Sequence, residues 1–356
     1  MDDLLGTSAA DYARFGLEAD SIAAWEDGAR TDNRPGTYEW WYFDAHLDDG
    51  ATIVVVFMNK PMASAGGPLS PLLRLGVVLP GGRSLQQVVP FEAEQWSAAT
   101  DHADVRLGVN RFRGDLREYR IQATAGDVSV DLTLRGEIPP WRPATGHLVY
   151  GKRRELTFAW LPSVPQGRVT GSYTVDGETR AASGTGYHDH NWGNVPLHRI
   201  VHHWYWARGQ AGPYTAIAAH ITATKRYRYR PVTVFMLARD GRIIADEGSL
   251  VRFETDGVFV DERTGKPVAA ATRYVYENGD DRIVVSFARE RDIAVTKLVD
   301  EMTGWKKAAA RLAGFDGAIL RFTGPMTVTV YRAGAVIEHH TDPAIWDLVY
   351  LGRNLR

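Results

Sequence analysis

The chain has no cysteine among its 356 residues. Disulfides, thiolate metal sites and a cysteine nucleophile are therefore excluded, and the composition suits a reducing compartment. No apolar run reaches the roughly 18 residues that a membrane helix needs. The N-terminus, Met1-Asp2-Asp3-Leu4-Leu5-Gly6, lacks the basic-then-apolar order of a secretory signal. Excess charge is missing as well: the formal net charge of -2 argues against nucleic acid or an anionic membrane surface as the main partner. The expectation is a soluble, cytoplasmic chain. No G-x-G-x-x-G or phosphate loop opens a helix, so no nucleotide cofactor is called for. Ala182-Ser183-Gly184 is not the G-x-S-x-G elbow of a serine hydrolase.

Helical periodicity is also scarce. The best candidates span 17–27 and 300–313. What is plentiful is short runs of Val, Ile, Thr and aromatics, at 52–58, 119–123, 128–134, 214–222, 232–237, 282–288 and 326–332. Asp49-Gly50, Gly81-Gly82, Asp176-Gly177, Asp240-Gly241 and Asn278-Gly279 punctuate them. Pairs of this kind supply the positive backbone angles of tight antiparallel hairpins. The pattern predicts an all-β protein of antiparallel barrels or sandwiches with a few short helices. The length suits two domains, with the boundary around 192–202, dividing 1–195 from 196–356. The basic run Lys225-Arg226-Tyr227-Arg228-Tyr229-Arg230 reads as a strand with one charged and one aromatic face.

Three segments concentrate chemistry. In Glu39-Trp40-Trp41-Tyr42-Phe43-Asp44-Ala45-His46, a strand sends Trp40, Tyr42, Asp44 and His46 to one face and Glu39, Trp41 and Phe43 to the other. It reads as a barrel wall or as a pocket wall, with Asp44 or Glu39 shifted toward acid duty. The segment Tyr187-His188-Asp189-His190-Asn191-Trp192-Gly193 sets two imidazoles and an acid among aromatics. Imidazoles move protons near neutral pH, and aromatic faces stabilise cations. In His202-His203-Trp204-Tyr205-Trp206-Ala207-Arg208, a strand places His202, Trp204 and Trp206 together. His188 and His190, with Asp189, His202 or His203, have the spacing of metal ligands. The aromatic crowding favours an organic ligand instead, and no metal is assigned. His339-His340 and Trp346 read as a surface loop and core packing.

The first two segments, supported by Trp204-Tyr205-Trp206-Ala207-Arg208 and Tyr214, make the chain resemble the carotenoid 1,2-hydratase and AttH-like family. That resemblance implies two lipocalin-like (calycin-like) domains. It also implies likeness to the lipocalin-like [4+2] cyclases of natural-product pathways. In the family hydratases an acid protonates an alkene while a His, a Trp and a Tyr steady the cation; His190, Trp192 and Tyr214 match these. The family's aspartate after that tyrosine has no counterpart in Tyr214-Thr215-Ala216-Ile217-Ala218-Ala219-His220. The expectation is thus a cofactor-independent cyclase or isomerase of a polyene polyketide or isoprenoid, of [4+2] cycloaddition type, working by preorganisation in an aromatic pocket between the two β domains. Catalytic candidates are His190, Tyr214, Asp189 and Asp44. Trp192, Trp41, Trp40, Tyr42, Trp204, Trp206, Tyr187 and His188 are the candidates for shaping the pocket or orienting the motif. A hydratase and a non-catalytic lipophile carrier are the alternatives.

Overall fold

The structure, a computed structural model, describes residues 4–61, 65–279, 281–300 and 315–354. It divides into two compact units, Met1–Pro196 and Leu197–Arg356. Each is a curled, wholly antiparallel sheet around its own core, the all-β architecture that the strand pattern implies and the lipocalin-like fold that the resemblance implies. Among the described residues the first sheet has 12 strands and the second 10. Among the described residues no helix is long and apolar enough to cross a membrane.

Period-two patterning builds both sheets. Ala318–Arg332 buries nearly every second side chain along its length, as a strand with one face on a core must. Trp41, Phe43, Phe112 and Tyr119 fill the first core, and Phe235, Tyr274, Phe322 and Trp346 the second. Each contributes about 1.5–3 kcal/mol of burial free energy. Two of the five turn pairs take positive φ at both residues, while in the other three only Gly50, Gly82 and Gly279 do, at φ 89, 84 and 63. Asp176 and Gly177 sit at φ 52 and 82, and Asp240 and Gly241 at φ 50 and 76, the left-handed geometry of a twist-matched hairpin.

Helix placement departs from the periodicity. Among the described residues the α-helix is Ala9–Phe15, closed by a Ser8–Asp11 capping box and by Gly16 in the left-handed region. Within 17–27 only the single turn Ala24–Asp27 forms, because the Glu18 and Ser21 carbonyls are drawn onto Arg142 instead of onto helical N–H groups. The candidate at 300–313 lies almost wholly outside the described residues. The basic run is not a strand. Lys225–Tyr227 makes a short turn and Arg228 and Tyr229 take positive φ, 61 and 54. They form the loop joining Tyr214–Ala223 to Pro231–Arg239.

In the first sheet Tyr38–Leu47 lies between Thr52–Met58 and Glu178–Gly193, which in turn pairs Leu156–Val175. The histidine-rich motif is therefore strand throughout. Gly186 sits where strands crowd: a Cβ there would come within 2.6 Å of Val169 and 2.9 Å of the Asp44 carbonyl.

Candidate active site

Strand register decides which motif residues meet. Trp41 faces His190, Phe43 faces His188 and Glu39 faces Trp192, while Tyr42 faces Asp189 and Asp44 faces Tyr187. Directly opposed residues share a sheet face. The motif is thus split: His188, His190 and Trp192 join Trp41 and Glu39 on the core side, whereas Tyr187, Asp189 and Asn191 join Tyr42 and Asp44 on the other.

The core side holds a closed ionisable network that includes a residue with no sequence signature, Asp27. His188 Nδ1–H donates to the Tyr42 carbonyl at 2.8 Å, and Nε2 faces Asp27 Oδ2 at 3.1 Å. Tyr119 donates its hydroxyl to the same Asp27 oxygen. His190 Nε2 meets Glu39 Oε1 at 2.9 Å. Its Nδ1 stands 3.5 Å from Asp27 Oδ1, and both of these buried atoms lack a hydrogen bond. Glu39 is further held by the Thr31 N–H at 3.1 Å and hydroxyl at 2.8 Å. Burial pushes the Asp27 carboxyl up, but the facing imidazoles of His188 and His190 and the Tyr119 hydroxyl outweigh it and leave it below its ordinary value. The same burial and the adjoining Asp27 push Tyr119 well up. His190 is stacked on Trp41 at 4.2 Å and lies 4.7 Å from the Trp192 ring. Asp27 and Glu39 are 1% exposed and the two histidines 0%, so this network braces the fold behind Trp192 and makes no contact with solvent.

On the opposite face Asp189 accepts from Tyr187 at 2.8 Å, from the Trp160 indole at 2.8 Å and from Asn191 at 2.7 Å. Burial dominates these donors and raises its carboxyl to about 6. Tyr42 donates to Asp44 at 3.0 Å, and Trp40 packs partly buried beside Val56 and Met58.

A cavity of about 550 Å³ opens at the end of this sheet, a volume suited to a small organic ligand. Trp192 and Trp160 form one wall, and Phe15, Trp25, Arg30, Arg142 and His147 line the rest. The segment carrying Trp25 and Arg30 is strapped down by buried ions. Arg142 pairs Glu26 at 2.7 Å and holds the Ser21 and Ala144 carbonyls at 3.0 and 2.9 Å. Desolvation nevertheless raises the Glu26 carboxyl. His147 stacks on Phe15 at 3.7 Å and meets the Trp192 ring edge-on at 5.4 Å. Its Nδ1 lies 2.6 Å from the Thr145 carbonyl, which fixes the proton there and leaves Nε2 as an acceptor. Burial holds the imidazole down to about 4, so it is neutral in ordinary buffers. Neither His188 nor His190 lines the cavity.

Tyr214, Trp204 and Trp206 belong to the second unit. Tyr214 donates to Glu338 at 2.8 Å under the Arg239 guanidinium, and burial with that carboxylate pushes it up to about 12. Tyr214→Phe is expected to cost about 1 kcal/mol, because Arg239 still pairs Glu338 at 2.8 Å; a urea-unfolding loss above about 3 kcal/mol contradicts so local a role. Trp204 and Trp206 are partly buried on the face opposite Tyr205 and Ala207. His202 does not share their cluster. A bulge between Val201 and His203 breaks the alternation, and the His202 ring packs on His203 and Tyr350. Asp27, Arg30, Arg142 and His147 went unmarked in the sequence because each stands alone among unremarkable neighbours.

Residues 31–282 match the family model DUF7064, a domain of unknown function. The chain belongs to this family. This DUF7064 chain is 27% identical over 292 residues to a quinolone epoxide rearrangement protein of Emericella nidulans, covering 72% of this chain and 74% of that one. It is 25% identical over 186 residues to an acyclic carotenoid 1,2-hydratase of Rubrivivax gelatinosus, covering 49% of this chain and 45% of the hydratase. It thus spans less than half of the hydratase's length. The crystal structure of CghA with Sch210972 superposes with a TM-score of 0.64 at 17% identity, over 94% of this chain and 96% of CghA, a likeness of fold. An AttH-like protein of Nitrosomonas europaea also superposes, with a TM-score of 0.61 at 17% identity over 94% of this chain and 98% of that one, so the fold is lipocalin-like.

Proposed function

We propose that the chain isomerises, by cyclisation or rearrangement, a hydrophobic polyketide- or isoprenoid-like substrate in the cavity of the first unit. The observation that carries this reading is an aromatic hollow with one imidazole whose tautomer is locked: Trp160, Trp192, Trp25 and Phe15 surround it, and His147 presents Nε2 as acceptor. The walls fold a flexible substrate so that its reacting carbons approach, an effect worth up to about 7–11 kcal/mol of barrier. His147 accepts a hydrogen bond from a substrate O–H or N–H and raises electron density at that end. The Trp192 and Trp160 faces stabilise positive charge that develops at the other. Asp189 and the buried His190–Glu39–Asp27 network are positioning groups in this reading. The first fixes the Trp160 indole plane, and the second backs Trp192. Relatives named for epoxide rearrangement support an isomerising reaction without deciding the substrate.

A second reading is hydration of an alkene with Asp189 as the acid: burial raises its carboxyl to about 6, in the range of a general acid near neutrality, and it joins the cavity wall through the Trp160 indole. A carotenoid hydratase among the relatives is consistent with it. The experiment incubates the full chain with polyene and aromatic-epoxide substrates in heavy-oxygen water and follows products by mass and retention time. Unchanged mass with a new retention time is expected, and His147→Gln should slow that turnover about hundredfold. A product heavier by one labelled water replaces the first reading with the second. Substrate returned unaltered by every preparation overturns both.

A further inference from the structure

Resting on the cavity as the substrate site, we propose that the substrate is an anion: a conjugated hydrophobic body ending in a carboxylate or enolate that Arg30 and Arg14 hold. The charges lining the cavity are Arg14, Arg30, Arg34 and Arg142 against Glu26 and Asp32. Arg142 is neutralised by Glu26 at 2.7 Å, and Arg34 by Asp32. Arg14 and Arg30 are left with carbonyls only. Arg14 donates to the Arg154 carbonyl at 2.7 Å, and Arg30 donates from Nε to Gly28 at 3.0 Å and from Nη2 to Thr100. A guanidinium carries five N–H donors, so each retains donors for a ligand.

The carboxylates that act on Arg30 through space are Glu39, Glu26 and Asp27, and each is hydrogen-bonded elsewhere. Glu39 is taken by His190 and Thr31, Glu26 by Arg142, and Asp27 by His188 and Tyr119. Both arginines also lie over aromatic rings. Arg30 is 4.8 Å from the Trp25 centroid and Arg14 is 5.0 Å from that of Phe15. A planar guanidinium set on a ring presents its donor edge to a flat oxyanion while the ring meets the conjugated body. The half-buried position of Arg30 reduces the solvent screening that weakens fully exposed arginines.

The test compares all-trans-retinoic acid with all-trans-retinol, two ligands with one polyene and different ends, by quenching of tryptophan emission in the full chain. Retinoate is expected to bind at least about tenfold tighter than retinol. Arg30→Gln should remove that preference and leave retinol affinity in place. In wild type, raising the salt concentration should weaken retinoate alone. Equal affinities, or a preference that survives both Arg30→Gln and Arg14→Gln, overturn the anion assignment. Retinol binding that Trp192→Ala weakens then leaves the cavity standing as a site. If neither ligand binds, the cavity reading falls with the proposal.

Discussion

Asp27→Ala is expected to destabilise the first unit by about 3–5 kcal/mol. The carboxylate is 1% exposed and is the shared partner of His188 Nε2, the Tyr119 hydroxyl and, at longer range, His190 Nδ1. Its own carbonyl accepts the Trp41 indole N–H at 2.9 Å. Alanine keeps that main-chain carbonyl and the Trp41 bond, but leaves the two imidazoles and the Tyr119 hydroxyl facing a void in a region without water access, and unpaired buried polar groups are costly individually. Asp27→Asn keeps the volume and one acceptor oxygen, and should lose about 1–3 kcal/mol. The sign with pH follows from the depressed carboxyl. Its contribution is present above the ordinary value of 3.8 and is lost as pH falls below it. Urea unfolding at neutral pH provides the check, the second unit serving as internal reference. An alanine variant within about 1 kcal/mol of wild type would show that the imidazoles find other partners.

Asp189→Asn is expected to behave in the opposite sense. Its carboxyl is raised from 3.8 to about 6, so the folded chain favours the protonated form. The stability this represents is complete below the ordinary value and disappears as pH rises through about 6. The stability of wild type relative to Asp189→Asn should therefore fall by about 2 kcal/mol between about pH 4 and pH 8. Both chains share every other titrating group, including His147, whose depressed imidazole destabilises the fold as pH falls from about 6.5 toward about 4. Taking the difference cancels those terms. Paired urea titrations at the two pH values measure it, and a pH-independent difference refutes an uncharged Asp189. The same variant bears on function. If Asp189 only aims the Trp160 indole, an amide oxygen keeps the N–H bond now 2.8 Å long and turnover survives; if it is an acid, turnover ends.

Much of the fold was written locally. Alternation over 52–58 and 128–134 appears as Thr52–Met58 and Val128–Gly136, since a half-buried strand needs only its own period of two. The division of Glu39, Trp41 and Phe43 from Trp40, Tyr42 and Asp44 was equally legible, for the same reason. The helix position was not, because capping by Ser8 and Gly16 and the pull of Arg142 on the Glu18 carbonyl outweighed periodicity.

The site divides along the same line. The sequence by itself determined which residues of 187–193 could ever share a face, through strand geometry alone. It could not determine what each face meets. His188 reaches Asp27 across 161 positions, His190 reaches Glu39 across 151, and Arg142 reaches Glu26 across 116. Asp27, Glu26 and Arg142 carry no local mark and nothing in 187–193 names its partner, since an isolated aspartate or arginine looks the same in sequence whether it is solvated or buried. Only tertiary structure, by removing water from these groups and setting their partners within hydrogen-bond reach, decided that His188 and His190 lie sealed in the core. The same desolvation made His147 a neutral acceptor on a cavity wall and raised the Asp189 carboxyl to about 6.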